Sequence, residues 1–245
     1  MSNSELEKYE DLKKIEDSHF ITTLQEIKSG ISNTSSPIPN RILCINLLRS
    51  ICKFQLSYFY NFFWGIRNDF INNCLNYNEN PRLQQISIFF LNEILNNIYN
   101  EISHENMNEF IFWAYHNIFN FLTNNINILK SDAQKIIKDI SQNIPSEAII
   151  ISLIKSLRIK DENILNYLFN CIEIYFKEFV SYGINFDFIL DSLEIDKSNE
   201  KDYYIKIQKA FEILNNILQN QGSNMAQIYE SINNKNKDIL SDLIK

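Results

Sequence analysis

Apolar residues recur at intervals of three and four along most of the chain. Leu56, Phe59, Phe63, Ile66 and Phe70 share one helical face at that spacing, and the pattern then restarts. Ile86, Phe90, Leu91, Ile94, Leu95 and Ile98 form the next stripe, and Ile164, Leu168, Cys171, Ile172, Tyr175, Phe176 and Phe179 a later one. Ile207, Ala210, Phe211, Leu214, Ile217 and Leu218 repeat it near the end. Short polar breaks separate the stripes, at 32–40, 76–82, 101–105, 124–130, 142–145, 160–162, 182–185, 196–199 and 220–223. Pairing neighbouring stripes predicts helix pairs over about 18–52, 54–100, 105–143, 145–181, 185–219 and 222–244.

Units of roughly 35 to 47 residues have the period of HEAT and armadillo arrays, in which each pair buries its apolar face only against its neighbours. The sequence therefore predicts an all-α, HEAT/armadillo-like α-solenoid of about six antiparallel helix pairs, with a compact helical bundle as the alternative. One domain is expected over 18–245, preceded by a charged segment over 1–17. Scarcity of breakers agrees with long helices: the 245 residues include four glycines and four prolines, too few for the tight turns of a sheet-rich fold.

Composition removes several kinds of chemistry. Phosphate-cradling loops need clustered glycines, whereas Gly30, Gly65, Gly183 and Gly222 are far apart, so no nucleotide cofactor is expected. His19, His104 and His116 offer no pair at the spacing a helical metal site requires, and no metal or other cofactor is expected. Cys44, Cys52, Cys74 and Cys171 form no C-x-x-C pair and sit in apolar helical contexts, as buried reduced thiols do. Carboxylate neighbours such as Asp161 with Glu162, or Glu194 with Asp196, fit solvated turns better than general acids or bases. Nothing marks a catalytic residue, and the chain is expected not to be an enzyme. A net charge of −7 without a basic run opposes nucleic-acid binding, and most aromatic rings fall on the apolar stripes. No apolar run approaches the roughly 20 residues of a membrane span, and the charged Met1 to Asp17 stretch lacks the apolar core of a secretory signal, so a soluble cytoplasmic protein is expected.

Four segments resemble a TOG domain, the tubulin-binding HEAT array of the CLASP and crescerin families. Asn80-Pro81-Arg82-Leu83 is similar to the arginine-containing second turn of that family. Leu129-Lys130-Ser131-Asp132-Ala133 resembles its phenylalanine-isoleucine-arginine-glutamate-aspartate-alanine turn, with Lys130 at the basic position. The run from Asp196 through Lys201 and Asp202 to Tyr203 and Tyr204 looks like the aspartate-rich, tyrosine-tyrosine turn of the fifth pair in crescerin-type domains. The stretch from Met225 to Lys245 is similar to the ending of that subfamily, and the likeness extends over 18–245.

The resemblance implies a non-catalytic protein that binds tubulin, microtubules or another cytoskeletal assembly through the turns inside its helix pairs. It also implies a place on the cytoskeleton, and the crescerin-type likeness adds the cilium. Arg41 matches the arginine of the first turn, but Ile38 stands where the family has tryptophan; Asp202 stands where the fifth turn has arginine. Independently of the family, Arg41, Arg82, Lys130, Lys160 and Lys201 fall at successive turns, which stacking would place along one basic edge with Ile38 and Tyr203. The plainer reading is that such cations favour the negative end of a first helix and cover a solvated turn. A general HEAT or armadillo adaptor, or a structural subunit of a larger complex, is the other function the pattern allows; its partner would lie on a helical face.

Overall fold

A computed structural model describes residues 7–98, 104–193 and 200–244. Twelve α-helices and no strand occur among the described residues. They are α1 (Phe20–Ser32), α2 (Ile38–Phe54), α3 (Leu56–Phe70), α4 (Pro81–Ile98), α5 (His104–Phe119) and α6 (Asn127–Asn143). The remainder are α7 (Glu147–Lys155), α8 (Glu162–Phe179), α9 (Phe186–Leu193), α10 (Lys201–Asn220), α11 (Met225–Ser231) and α12 (Asn234–Leu243). The expected pairs correspond to α1 with α2, α3 with α4, and so on to α11 with α12. Of the expected breaks, most of 101–105 and all of 196–199 lie outside the described residues, as do Glu194 and the side chain of His104. No described helix is long and apolar enough to cross a membrane.

Local chemistry explains the starts and stops. Asn80, Ser146, Asp161, Asn224 and Asn233 each accept a hydrogen bond from a first-turn backbone N–H, and so begin α4, α7, α8, α11 and α12. Gly183 and Gly222 take positive φ values of 85° and 73° just after a helical segment, where a side chain would be strained. Between α2 and α3 the only interruption is Gln55, at φ −142°. Helix α3 continues into a π turn over Ile71–Leu75, closed by a bond from Asn76 N to Ile71 O at 2.8 Å.

The chain divides into two compact units: Met1–Met107 with Asn117–Ile136, and Asn108–His116 with Ile137–Lys245. In the first, α1 packs on α2 and α3, and α2 packs on α3 and α4. Its core is aromatic: Phe59, Phe63, Phe70 and Phe90 are buried, with ring centroids 5.4 to 6.4 Å apart. In the second, α7 packs on α8 and α9, α8 on α10, and both α9 and α10 on α12. Tyr115, Leu168, Ile172, Phe176, Ile207 and Phe211 lie in its core. Helices α1, α2 and α7 thus each meet both the next helix and the one after it, whereas α8 and α10 pack on the second helix along and α9 on the third.

Two glycines separate packing from propensity. A Cβ on Gly30 would collide with Cys44 Sγ where α1 crosses α2, whereas a Cβ on the exposed Gly65 in α3 would meet nothing. Gly65→Ala is expected to stabilise by about 0.5–1 kcal/mol, through helix propensity and the unfolded chain's lost freedom. Gly30→Ala is expected to destabilise by about 1–3 kcal/mol through overpacking, so thermal melting of the pair should move in opposite directions.

The charged segment before α1 is not a free tail over its described part. Tyr9–Asp11 forms a 3-10 turn against α2 and α4, and Leu12 is buried.

Candidate functional site

Within the first unit, the first turns of α4 and α6 lie side by side. Arg82 Nη1 donates to Gln85 Oε1 at 2.7 Å, and Gln85 Nε2 donates to Asp132 Oδ2 at 2.7 Å. Arg82 is exposed and Lys130 half-buried. Beside them Ile126 is exposed, and Ile128 is 54% exposed. The arrangement is a small cationic surface with an aliphatic rim, partly compensated by Asp132 and by Glu79, which accepts from Tyr77 OH at 2.7 Å.

Arg41 does not belong to that surface. It is 1% exposed, and its guanidinium donates from Nη1 to Asn73 O at 2.5 Å and from Nη2 to Thr34 O at 2.6 Å. The ring of Tyr77 lies 4.5 Å from its cationic carbon. Asn73 in turn donates from Nδ2 to Ile31 O at 2.8 Å, and Ser32 Oγ donates to Asp69. Arg41 is therefore a structural cation that joins the turn after α1 to the π turn after α3, which corrects its placement on a partner-binding edge. Ile38, at the first position of α2, is half-buried.

In the second unit, Lys160 and Lys201 are exposed near the starts of α8 and α10. Acids surround them. Asp161 caps α8 and Glu162 follows it; Glu200 is paired with Arg158 at 2.8 Å, and Asp202 with Lys206 at 2.8 Å. Tyr203 is 4% exposed and carries the Arg158 guanidinium on its ring at 3.8 Å, so it too is a packing residue and not a contact surface. The expected run of cations is thus three exposed side chains, one half-buried and one buried, with Arg82 and Lys130 in the first unit and Lys160 and Lys201 in the second.

The helix-end explanation of these cations changes as well. Arg41, Arg82, Lys130 and Lys201 fall in the first turn of the following helix, not at the end of the preceding one. Positive charge is disfavoured there by the helix dipole. Arg41 recovers this cost by binding carbonyl oxygens at the ends of other segments. Arg82 is exposed and Lys130 half-buried, so neither is enclosed as Arg41 is.

Elsewhere, the side chains give little to reactive chemistry. Among the described residues, no group of three His, Cys, Asp or Glu could hold a metal ion. Burial pushes all four thiols up, Cys44 and Cys171 to about 11 and Cys52 and Cys74 to about 12, which leaves them protonated and weakly nucleophilic near neutral pH. An open cleft of about 410 Å³ between α1 and α2 is lined by Glu26, Asn40 and Cys44 among others, and its thiol is one of these.

Ile126 and Ile128 were not singled out from the sequence. They are out of phase with the buried stripe of α6, Leu129, Ala133, Ile136, Ile137 and Ile140, and that mismatch is the signal that would have found them. Compared with models of protein families and with curated protein sequences, the chain gives no significant match to either.

Proposed function

We propose that the chain is a non-catalytic, TOG-like HEAT-repeat module, a solenoid of about six helix pairs that binds tubulin, microtubules or another cytoskeletal assembly through its intra-pair turns. Packing of α1, α2 and α7 each on the next two helices supports the repeat reading. The observation that carries the functional reading is the pair of exposed or half-exposed cations, Arg82 and Lys130, held next to exposed Ile126 and Ile128 at helix starts that disfavour positive charge. Cations at positions that cost stability and stay open or half-open to solvent are suited to an acidic partner, and tubulin is strongly acidic. The module works in the cytoplasm on the cytoskeleton, with the cilium as one setting, and takes no nucleic acid, membrane or cofactor.

Co-elution with unpolymerised tubulin and co-sedimentation with stabilised microtubules test this. The double reversal R82E/K130E is expected to weaken binding by about tenfold or more at low salt, with a smaller effect as salt screens the contact. Failure of the wild-type protein to bind in both assays would remove the tubulin reading.

A second reading, a general helical adaptor or a structural subunit of a larger complex, is favoured by a different surface. Tyr58 is 61% exposed, and its ring meets Phe20 edge-on at 5.2 Å; Phe54 and Ile21 are also exposed. Apolar side chains open to solvent suit a partner that covers a helix face.

A further inference from the structure

The face formed by α2 and α4 already holds a peptide, and that peptide is the chain's own. Arg49 Nη1 donates to Glu7 O at 2.7 Å, and Lys53 Nζ donates to Tyr9 O at 2.6 Å. Asn46 Oδ1 accepts from Glu7 N at 3.3 Å. These contacts reach the main chain only, so they would hold any sequence with the same backbone shape. Selectivity comes from two anchors three residues apart. The Tyr9 ring lies under Lys53 Nζ at 4.6 Å and its hydroxyl donates to Asn97 Oδ1 at 3.1 Å, while Leu12 is buried. The 3-10 turn over Tyr9–Asp11 sets positions 9 and 12 at the spacing that eclipses in such a turn, and Glu10 and Asp11 between them are exposed.

The receiving surface is built independently of the segment it holds. Glu93 grips Arg49 with both oxygens, at 2.5 Å to Nε and 2.9 Å to Nη2, and its backbone carbonyl accepts from Asn97 Nδ2 at 2.7 Å. The segment does not fill the surface either. A cleft of about 360 Å³ continues beside Tyr9, lined by Phe89, Asn92 and Asn96. Residues 13 and 14, which lead from Leu12 towards α1, are exposed and outside any helix.

From this geometry we infer that the α2–α4 groove is a peptide-binding site for a Tyr-x-x-Leu segment of a partner protein, and that residues 7–12 are its internal competitor. The inference is independent of the turn-edge reading, since Arg82 and Lys130 take no part in it. Detaching the competitor opens the groove; the apparent affinity for an external peptide rises by the inverse of the fraction already open.

The test is fluorescence anisotropy with a labelled peptide of residues 7–17 and the full chain. Wild-type protein is expected to bind weakly and saturably. Y9A/L12A, which alters the competitor and leaves α2 and α4 untouched, is expected to bind about tenfold more tightly or better. Adding Lys53→Glu to that variant should cancel the gain, and a peptide with both anchors changed to alanine should not bind. No saturable binding to either protein, or equal affinity for the two, would overturn the proposal. So would a wild-type dimer in sedimentation velocity that Y9A/L12A converts to monomer, because the groove would then be filled by arm exchange between copies. Circular dichroism melting of each variant confirms that α2 and α4 remain folded in the comparison.

Discussion

Arg41→Met is expected to lower the unfolding free energy by about 3 kcal/mol while leaving the surface of the first unit unaltered. Methionine fills most of the volume but donates no hydrogen bond. Asn73 O and Thr34 O would lose their Arg41 donors at 2.5 and 2.6 Å, and the Tyr77 ring would lose its cation. The Asn73 carbonyl, left unsatisfied in a buried place, costs about 1–3 kcal/mol, and the Thr34 carbonyl, on an exposed residue that water can reach, costs less, which sets the scale. Arg41→Lys is expected to recover only part of the loss, since one ammonium cannot span two carbonyls with the geometry of a guanidinium fork. Urea unfolding followed by circular dichroism is the check. A surface contact residue would instead leave stability within about 0.5 kcal/mol, so the same curve separates the two roles that sequence alone could assign to Arg41.

Phe90→Ala should have the largest effect, a loss of about 3–5 kcal/mol. Its ring meets Phe59, Phe63 and Phe70 at centroid distances of 6.4, 5.6 and 5.5 Å, three of them edge-on contacts from α3 to α4. Removing it leaves a cavity among stiff rings that cannot collapse as aliphatic neighbours would, and removes edge-to-face attraction beyond the lost burial. Phe90→Leu retains more volume and is expected to cost less. Chemical denaturation of both variants gives the ordering, and a loss below about 1 kcal/mol for alanine would mean that the aromatic cluster relaxes far more than its packing implies.

Much of the helical organisation was legible because burial is periodic. Leu56, Phe59, Phe63, Ile66 and Phe70 repeat at three and four, and α3 runs through them from Leu56 to Phe70. The caps at Asn80, Ser146, Asp161, Asn224 and Asn233 were not singled out from the sequence, although their reason is local: the first backbone N–H groups need a partner and those side chains are short enough to supply one. The partner-edge residues were harder. Arg41 has the composition of a surface residue, yet the carbonyl that holds it belongs to Asn73, 32 positions away. No local pattern encodes that distance. Tyr203 was more accessible to reasoning, since it continues the α10 stripe of Ile207, Ala210 and Leu214 and is buried with them. The segment before α1 looked solvated because charges outnumber apolar residues in it. Two anchors, Tyr9 and Leu12, suffice to seat it when α2 and α4 provide donors for its main chain.

The buried cysteines give the chain its own record of motion. Cys44, Cys52 and Cys74 lie in the first compact unit and Cys171 in the second, with every thiol shielded. Cys44 borders the open cleft between α1 and α2, but a small alkylating reagent can reach the sulfurs of Cys52, Cys74 and Cys171 only when the helices around them part, so their rate of modification reads local opening directly. Mass mapping of the modified peptides would time that opening in each unit without an introduced label. The sparse cysteine content, inert as chemistry, is a pair of built-in clocks.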